Sequence, residues 1–452
     1  MKASRFLPIL TAGLAIAAGA ILPAATPAAT PLAAHRDAWV AHLVAPGDRL
    51  EIGYTNETPG VAATATLYMR TDGQRSFRAL QMSVHGSSLR TVVPGSLIRG
   101  TELRYYAVIR DPQTGRSVQV PADGARSPDA AWVLEHPVVV RLGTHVFGQT
   151  RAPEAVVAHV RPAAVGWGEP GNPSGPETFL VGPDRSIWLH DEVNHRLLVW
   201  RAGSPGAAAR SVALPFLNAE DVALGPANTL YFDREIPSIR HFFLYRLSLA
   251  TGKVLWKSEL KTGEVGGNTA LRVGPDCALY ALAADLGWVP VASPGGQPLS
   301  PAEQERRAGY QPVSSGLRLV SDTYAPFVGE GGSHPDPREV RFALIDRAGR
   351  LVRAWRVVSR TAISRTGYYT AALVRGDPVV VLDATAGRDR DFKWEYEVLR
   401  LSRSGAKAHF SLRHAVFGDN LFADLRVGPD GKLYQLGSSP TAGVTISRYA
   451  LA

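Results

Sequence analysis

Ten residues, Leu-x-Val-Gly-Pro-Asp-x-x-Leu-Tyr, occur almost unchanged at Leu271–Tyr280 and Leu425–Tyr434. Variants read Phe179-Leu-Val-Gly-Pro-Asp with Ile187-Trp188, Val222-Ala-Leu-Gly-Pro-Ala with Leu230-Tyr231, Leu317-Arg-Leu-Val-Ser-Asp, and Leu373-Val-Arg-Gly-Asp-Pro with Val380-Val381. Each copy is an apolar strand, a turn and a second apolar or aromatic strand. Proline presets φ in the turn, Asp or Gly completes it, and the flanking runs are β-formers. Taking the first turn residue as a marker gives positions 182, 225, 274, 320, 376 and 428, with intervals of 43, 49, 46, 56 and 52. Such a period prescribes repeated sheets, stacked or radial. It prescribes no chemistry.

A second signal follows in phase. Leu247-Ser-Leu-Ala-Thr-Gly252-Lys-Val-Leu-Trp256, Leu344-Ile-Asp-Arg-Ala-Gly349-Arg-Leu-Val-Arg-Ala-Trp355 and Leu401-Ser-Arg-Ser-Gly405-Ala-Lys-Ala-His-Phe410 each read as strand, glycine turn, strand. Their glycines lie 27, 29 and 29 residues after the markers. Two hairpin signals per repeat make four strands, the content of a propeller blade. Six markers predict six blades. Only 24 residues follow Gly428, too few for a full blade. The missing outer strand is expected from Ala155–Val160 or Val138–Arg141, which would close the ring and remove two open sheet edges. Between the third and fourth markers, Ser300-Pro301-Ala302-Glu303 and the residues to Ala308 predict a short capped helix.

The N-terminal third reads differently. Lys2 and Arg5 precede the apolar stretch Leu7–Leu22 and an Ala/Pro/Thr-rich segment, so residues 1–34 are expected to be a signal peptide cleaved between about 21 and 35. The apolar run is short for a membrane span, and no cysteine marks a lipid-attachment site. The mature chain is expected to be secreted or in the cell-envelope space, without a lipid anchor. Residues 35–137 hold candidate strands at Leu50–Thr55, Ala63–Arg70, Ser76–Ser83, Leu89–Val93, Glu102–Ile109 and Ser117–Val120, enough for a small β-sandwich, with Pro121–Pro137 as a linker. The expected fold is therefore all-β: a sandwich over 35–137, then a six-bladed propeller over 138–452.

Cys277 is the only cysteine, which excludes an intrachain disulfide. The formal charge of +9 is spread over dispersed arginines. No basic–aromatic alternation tracks a nucleic acid strand, so no nucleic-acid partner is expected.

Leu97-Ile-Arg-Gly-Thr-Glu-Leu-Arg-Tyr105 resembles the tyrosine-corner region of fibronectin type III and immunoglobulin-like domains. Ile187-Trp-Leu-His-Asp191-Glu-Val-Asn194-His-Arg196 resembles an NHL-type repeat of secreted bacterial propellers, whose pattern is strand, Asp-x-x-Asn-x-Arg, strand. That likeness implies a propeller in a family spanning protein and RNA binders, hydrolases and lyases. Thr251-Gly-Lys-Val-Leu-Trp256 is similar to the docking motif of quinoprotein-type propellers, where the tryptophan packs between blades; it implies no quinone.

Register picks out a candidate site. Glu177 and Glu220 lie five residues before their markers, Asp221 and Asp424 four, and Asn268 six. In a ring these positions crowd one mouth of the channel. Asp191, Asn194, Asp233 and His241 are expected on the same face. Oxygens of Glu177, Glu220, Asn268 and Asp424 could together hold Ca²⁺ or another hard cation, comparable to the acidic set of gluconolactonase-type propellers. No cofactor is otherwise implied, and the nucleophile, zinc and phosphate-loop signatures are absent. The expected function is a secreted binding protein that presents one propeller face to a protein, polysaccharide or small molecule. The alternative is an extracellular enzyme, a metal-assisted lactone-type hydrolase or a polysaccharide lyase.

Overall fold

A computed structural model describes the chain except residues 1–31, 38–41, 59, 169–173, 205–209, 216–218, 220, 237–240, 261–269, 284–286, 301–302, 305–310, 315, 325–336, 366–370, 388 and 418–423. Almost all of the expected signal peptide, and most of the expected helix after Ser300, lie outside the described residues. Of the helix, Glu303 and Gln304 are helical, and the Ser300 backbone N–H donates to Glu303 Oε2 at 3.0 Å, as a capping box requires.

The N-terminal unit is two sheets sharing one core. One contains Ala34–Arg36, Leu50–Asn56, Ser88–Val93 and Ser83–His85; the other contains Leu43–Val44, Asp129–Val133, Glu102–Arg110, Thr64–Thr71 and Arg78–Gln81, with Ser117–Val120 beside Glu102–Arg110. Alternation does the sorting. Leu103, Tyr105, Ala107 and Ile109 point into the core with Ile52, Tyr54, Leu67 and Leu89, while their sequence neighbours face outward. The Tyr105 hydroxyl accepts a hydrogen bond from Arg36 Nη1 at 2.8 Å. The stretch expected to be a linker holds a strand, Asp129–Val133, which pairs parallel with Leu43–Val44.

Downstream, six further sheets follow one another among the described residues. Sheet I is Phe179–Val181, Ile187–Asp191, Arg196–Trp200 and Arg210–Ala213; sheet II is Val222–Gly225, Thr229–Ile236, His241–Ser248 and Val254–Leu260. Sheet III is Leu271–Val273, Leu279–Ala283 and Gly287–Ala292; sheet IV is Gln311–Ser314, Leu317–Tyr324, Glu339–Asp346 and Leu351–Ser359. In sheet V, Ala362–Arg365 and Ala372–Val374 both pair with Asp377–Ala386, followed by Lys393–Ser402 and Gly405–Arg413; sheet VI is Leu425–Val427, Leu433–Ser439 and Gly443–Tyr449.

The recurrent decapeptide closes on itself. In its three Gly-Pro-Asp copies, the glycine N–H bonds the carbonyl across the hairpin (Gly182 to Ser186, Gly274 to Ala278, Gly428 to Lys432). The turn aspartate then takes the tyrosine hydroxyl two strand residues on: Tyr280 Oη to Asp276 at 2.7 Å, Tyr434 Oη to Asp430 at 2.9 Å. The residue after the aspartate has positive φ in every copy: Arg185 63°, Cys277 62°, Gly431 69°. Glycine is at ease there and a β-carbon is not. Exposed Cys277 thus holds a place its sister copy gives to glycine. Cys277→Gly is expected to leave stability unchanged or raise it by up to about 1 kcal/mol, measured by thermal unfolding.

The fourth copy departs from expectation. Leu317-Arg-Leu-Val-Ser-Asp322 contains no turn at 320; it lies within the continuous strand Leu317–Tyr324, and the innermost strand is Gln311–Ser314 just before it. The copy lacks the Gly-Pro pair, and Asp322 serves a distant partner. Its Oδ2 accepts the backbone N–H groups of His42 and Leu43 at 2.6 and 2.5 Å.

Successive sheets pack face to face in a propeller-like manner. Leu180 and Leu197 of sheet I meet Val222 and Phe232 of sheet II. Tyr231 of sheet II meets Leu271 and Leu279 of sheet III. Sheets IV, V and VI share Phe342, Trp355, Val380, Leu399, Leu425 and Leu433, and sheet VI meets sheet I through Leu436, Ile446, Phe179 and Leu189. Inter-sheet tethers recur at the expected aromatic places. Trp256 Nε1 donates to Gly296 O at 2.7 Å, Trp355 Nε1 to Ser402 O at 2.7 Å, and Phe410 stacks on Tyr449. The other face of sheet IV is taken by the N-terminal unit, whose Leu43, Trp132 and Leu134 pack on Val320, Ala343, Ile345 and Ala354. Arg341 adds bonds to Leu43 O, Asp48 and Glu339, and Trp132 Nε1 reaches Gly349 O at 2.8 Å.

Both candidate edge strands are used, in different places. Val138–Gly143 adds in parallel to Leu351–Ser359 of sheet IV, and Ala155–Val160 adds antiparallel to Gly443–Tyr449 of sheet VI. The segment between them crosses the edge of sheet V as a belt. Arg151 N bonds Ser411 O at 2.9 Å, and Gly148 N bonds Glu395 Oε1 at 2.8 Å. His145 sits between two carboxylates, Nδ1 at 2.6 Å from Glu397 and Nε2 at 2.9 Å from Glu395. Glu397 also meets His409 at 2.8 Å; burial alone would raise its carboxyl, yet the two imidazoles hold it below the usual range. A chain starting at residue 161 is expected to melt well below one starting at 138, which itself lacks the cover of Leu43, Trp132 and Leu134 on sheet IV, because sheet VI then also has an unpaired edge. Coincident melting curves for the two would show that the belt is dispensable.

Candidate functional site

One backbone hydrogen bond repeats where the chain enters four innermost strands: His190 N to Thr178 O, Asp233 N to Asp221 O, Leu282 N to Ala270 O, and Leu436 N to Asp424 O. Thr178, Asp221, Ala270 and Asp424 therefore hold equivalent places, as register implies for Asp221 and Asp424. Glu177, adjacent to Thr178, is buried. Glu220 and Asn268 lie outside the described residues, as does the side chain of His241.

Asp221 is fully buried and its oxygens are occupied. Oδ1 accepts Thr178 Oγ1 at 2.8 Å and Val222 N at 2.8 Å; Oδ2 accepts Leu271 N at 2.6 Å. Its own N–H donates to Asp233 Oδ1 at 2.8 Å. Burial raises its carboxyl above the usual range, opposed by Arg426 and these donors. Arg426 comes from sheet VI, with Nη2 3.4 Å from Asp221 Oδ1, Nε 3.1 Å from Phe179 O and Nη1 3.3 Å from Leu271 O. One guanidinium thus joins the innermost strands of sheets I, II, III and VI. The Asp221 carboxyl is structurally committed, with the Arg426 guanidinium already beside it.

Asp191 and Asn194 are likewise committed. Asp191 accepts Asn194 Nδ2 at 3.0 Å, Arg196 Nε at 2.7 Å and Gly166 N at 2.8 Å, while Arg196 Nη2 reaches Ala164 O. The Asp-x-x-Asn-x-Arg motif closes its own hairpin and secures the segment leading into sheet I.

Asp424 is different. Its Oδ1 accepts Tyr396 Oη at 3.2 Å, but its buried Oδ2 has no hydrogen-bond partner among the described residues. Desolvation pushes this carboxyl up to about 7, with the charge of Asp383 adding to the rise. Asp383 is itself pushed up to about 6 by burial, against hydrogen bonds from Trp394 Nε1 (3.1 Å) and Ser364. Trp394 stacks on His414 with ring centroids 4.0 Å apart, and Tyr396 lies 5.6 Å from the same imidazole. Two carboxyls with raised pKa values and three partly or fully buried rings thus occupy one locality between sheets V and VI. Chemically, it can accept hydrogen bonds, donate a proton near neutral pH and stack a planar or pyranose face.

Register identified Asp424 but not Asp383, Trp394, Tyr396, His414 or Arg426. Asp383 lies late in the second strand of its sheet, as Asp233 does, which was a usable signal. The rings carried none, because Trp and Tyr within a strand read as core packing. Among the described residues, no group of three or more His, Cys, Asp or Glu side chains could hold a metal ion. No described helix is long and apolar enough to cross a membrane.

No protein-family model matches the chain, and no curated protein matches it in sequence. Among solved structures it is similar to the hydrazine synthase of Kuenenia stuttgartiensis, at 12% identity and a TM-score of 0.33, covering 64% of this chain and 76% of that one. It is also similar to a protein from Lactobacillus plantarum, at 11% identity and a TM-score of 0.25, covering 86% of this chain and all of that one.

Proposed function

We propose that sheets I–VI form a six-bladed propeller, preceded by an immunoglobulin-like sandwich, in a secreted binding protein whose platform is the Asp383/Asp424 locality. The observation that carries this reading is the buried Oδ2 of Asp424, which has no hydrogen-bond partner among the described residues, in a carboxyl joined through Tyr396 to the Trp394–His414 stack. A buried acceptor without a donor is costly unless a ligand supplies one. Rings to stack on and carboxyls to receive hydroxyl protons suit a saccharide, so a polysaccharide is the favoured partner class. Titration with neutral and acidic oligosaccharides, followed by tryptophan fluorescence, is expected to saturate. Trp394→Ala and Asp383→Asn should each weaken binding roughly tenfold or more. Flat titrations across a varied glycan panel would remove this reading.

Two carboxyls titrating near 6 and 7 favour a second reading, an enzyme using them as acid and base. Release of new reducing ends or unsaturated ends from a bound polysaccharide, abolished in Asp424→Asn, would select it over pure binding. The Ca²⁺ proposal rests on Glu177, Glu220, Asn268 and Asp424; its support would be a melting temperature that rises with Ca²⁺ and falls back with chelator.

A further inference from the structure

A cavity lies at the other end of sheet V from Asp383, at the hairpin where Asp377–Ala386 begins. It has a volume of about 340 Å³ and is lined by Arg353, Arg375, Gly376, Asp377, Ser402, Arg403, Ser404 and Lys407. Four cations face one carboxylate, and that carboxylate is already engaged by Lys407 Nζ at 2.9 Å and Arg400 Nε at 3.6 Å. Arg353 rests over the Trp355 ring. Arg375 and Arg403 are exposed and have no hydrogen bond or ion pair among the described residues.

The backbone at Arg375 adds an independent observation. Arg375 and Gly376 form the two-residue turn between Ala372–Val374 and Asp377–Ala386, with φ of 53° and 80°. Such turns need positive φ at both central residues and favour Asn-Gly or Gly-Gly. An arginine in the first place is strained, and no hydrogen bond or ion pair of its side chain among the described residues offsets that strain. Strain retained at a cavity rim is a recognised mark of a functional position.

We propose that this cavity binds an oxyanion of the phosphate or sulfate type, gripped by Arg375 and Arg403 and supported by Arg353 and Lys407. Guanidinium forks match tetrahedral oxyanions in two-point hydrogen bonding. The Ser404 hydroxyl at the second hairpin tip is a further donor. The site is separate from the Asp383/Asp424 locality and does not depend on the function proposed for it. The anion could be free or the headgroup of an anionic lipid; the chemistry is shared.

The mature protein should be titrated with inorganic phosphate and with sulfate by calorimetry, and sedimented with vesicles of phosphatidylglycerol or of phosphatidylcholine alone. Binding of the free anions identifies a soluble ligand; sedimentation with phosphatidylglycerol vesicles only identifies a headgroup. Arg375→Gly relieves the turn, so it should melt at an equal or higher temperature while binding the anion about tenfold more weakly. Arg403→Ser should weaken binding similarly, and the double variant should abolish it. Undiminished binding in the double variant, or no response to any of these probes, would overturn the proposal.

Discussion

Arg426→Met is expected to destabilise the protein by about 3–5 kcal/mol, the range for breaking a buried ion pair by removing one partner. The cost has two parts. The Asp221 carboxylate, fully buried, is left without its compensating charge. The carbonyls of Phe179 and Leu271 lose a charged donor, and three innermost strands lose a shared tether. Asp221→Asn alone should also destabilise, because it strands the guanidinium. The double variant Asp221→Asn/Arg426→Met removes both charges and should be clearly more stable than the sum of the single effects implies. Urea unfolding of the four proteins measures this. Strict additivity, or a loss below about 1 kcal/mol for Arg426→Met, would show that the guanidinium does not hold the sheets together.

Asp424→Asn should alter how stability depends on pH. The Asp424 carboxyl is raised in the folded protein from 3.8 to about 7, so the folded state binds its proton more tightly than the unfolded state does. The resulting contribution is fully present below about pH 4, declines as pH rises between 4 and 7, and is gone above 7. A shift of this size corresponds to about 4 kcal/mol at most, since part of it belongs jointly to Asp383. The asparagine carries no charge to bury. Its unfolding free energy should be flatter over pH 4–7 and should exceed that of the native protein at pH 8. Parallel pH profiles for the two proteins would mean that Asp424 is ionised and solvated throughout.

Local chemistry was legible where it closes within a few residues. The Gly-Pro-Asp turns and the hairpins at Gly252, Gly349 and Gly405 can all be read from order alone, because each satisfies its own backbone. The failure at Val320 shows the limit. Apolar residues followed by Ser-Asp mimic a turn, but Asp322 is drawn to the N–H groups of His42 and Leu43, some 280 residues away in sequence. The same limit hid the strand Asp129–Val133, whose polar surroundings read as a linker until Trp132 found sheet IV.

The amino-acid order by itself determined an all-β chain, its recurrent hairpins and the need for an edge strand from the N-terminal side of sheet I. Only the tertiary structure decided which residues carry charge across the interior. Leu271-Arg272-Val273 and Leu425-Arg426-Val427 are the same motif in the same register. Yet Arg272 lies over Trp288 of its own sheet, while Arg426 spans to Phe179, Asp221 and Leu271 of three others. Likewise Asp221 is locked by Thr178 at the entry to sheet I, Leu271 of sheet III and Arg426 of sheet VI, while its register equivalent Asp424, beside Asp383, has an oxygen with no hydrogen-bond partner among the described residues. Turn and strand preferences are settled by neighbours in the chain, so sequence reports them. The state of a buried charge is settled by what other sheets bring within a few ångströms, and nothing in the order of residues records that.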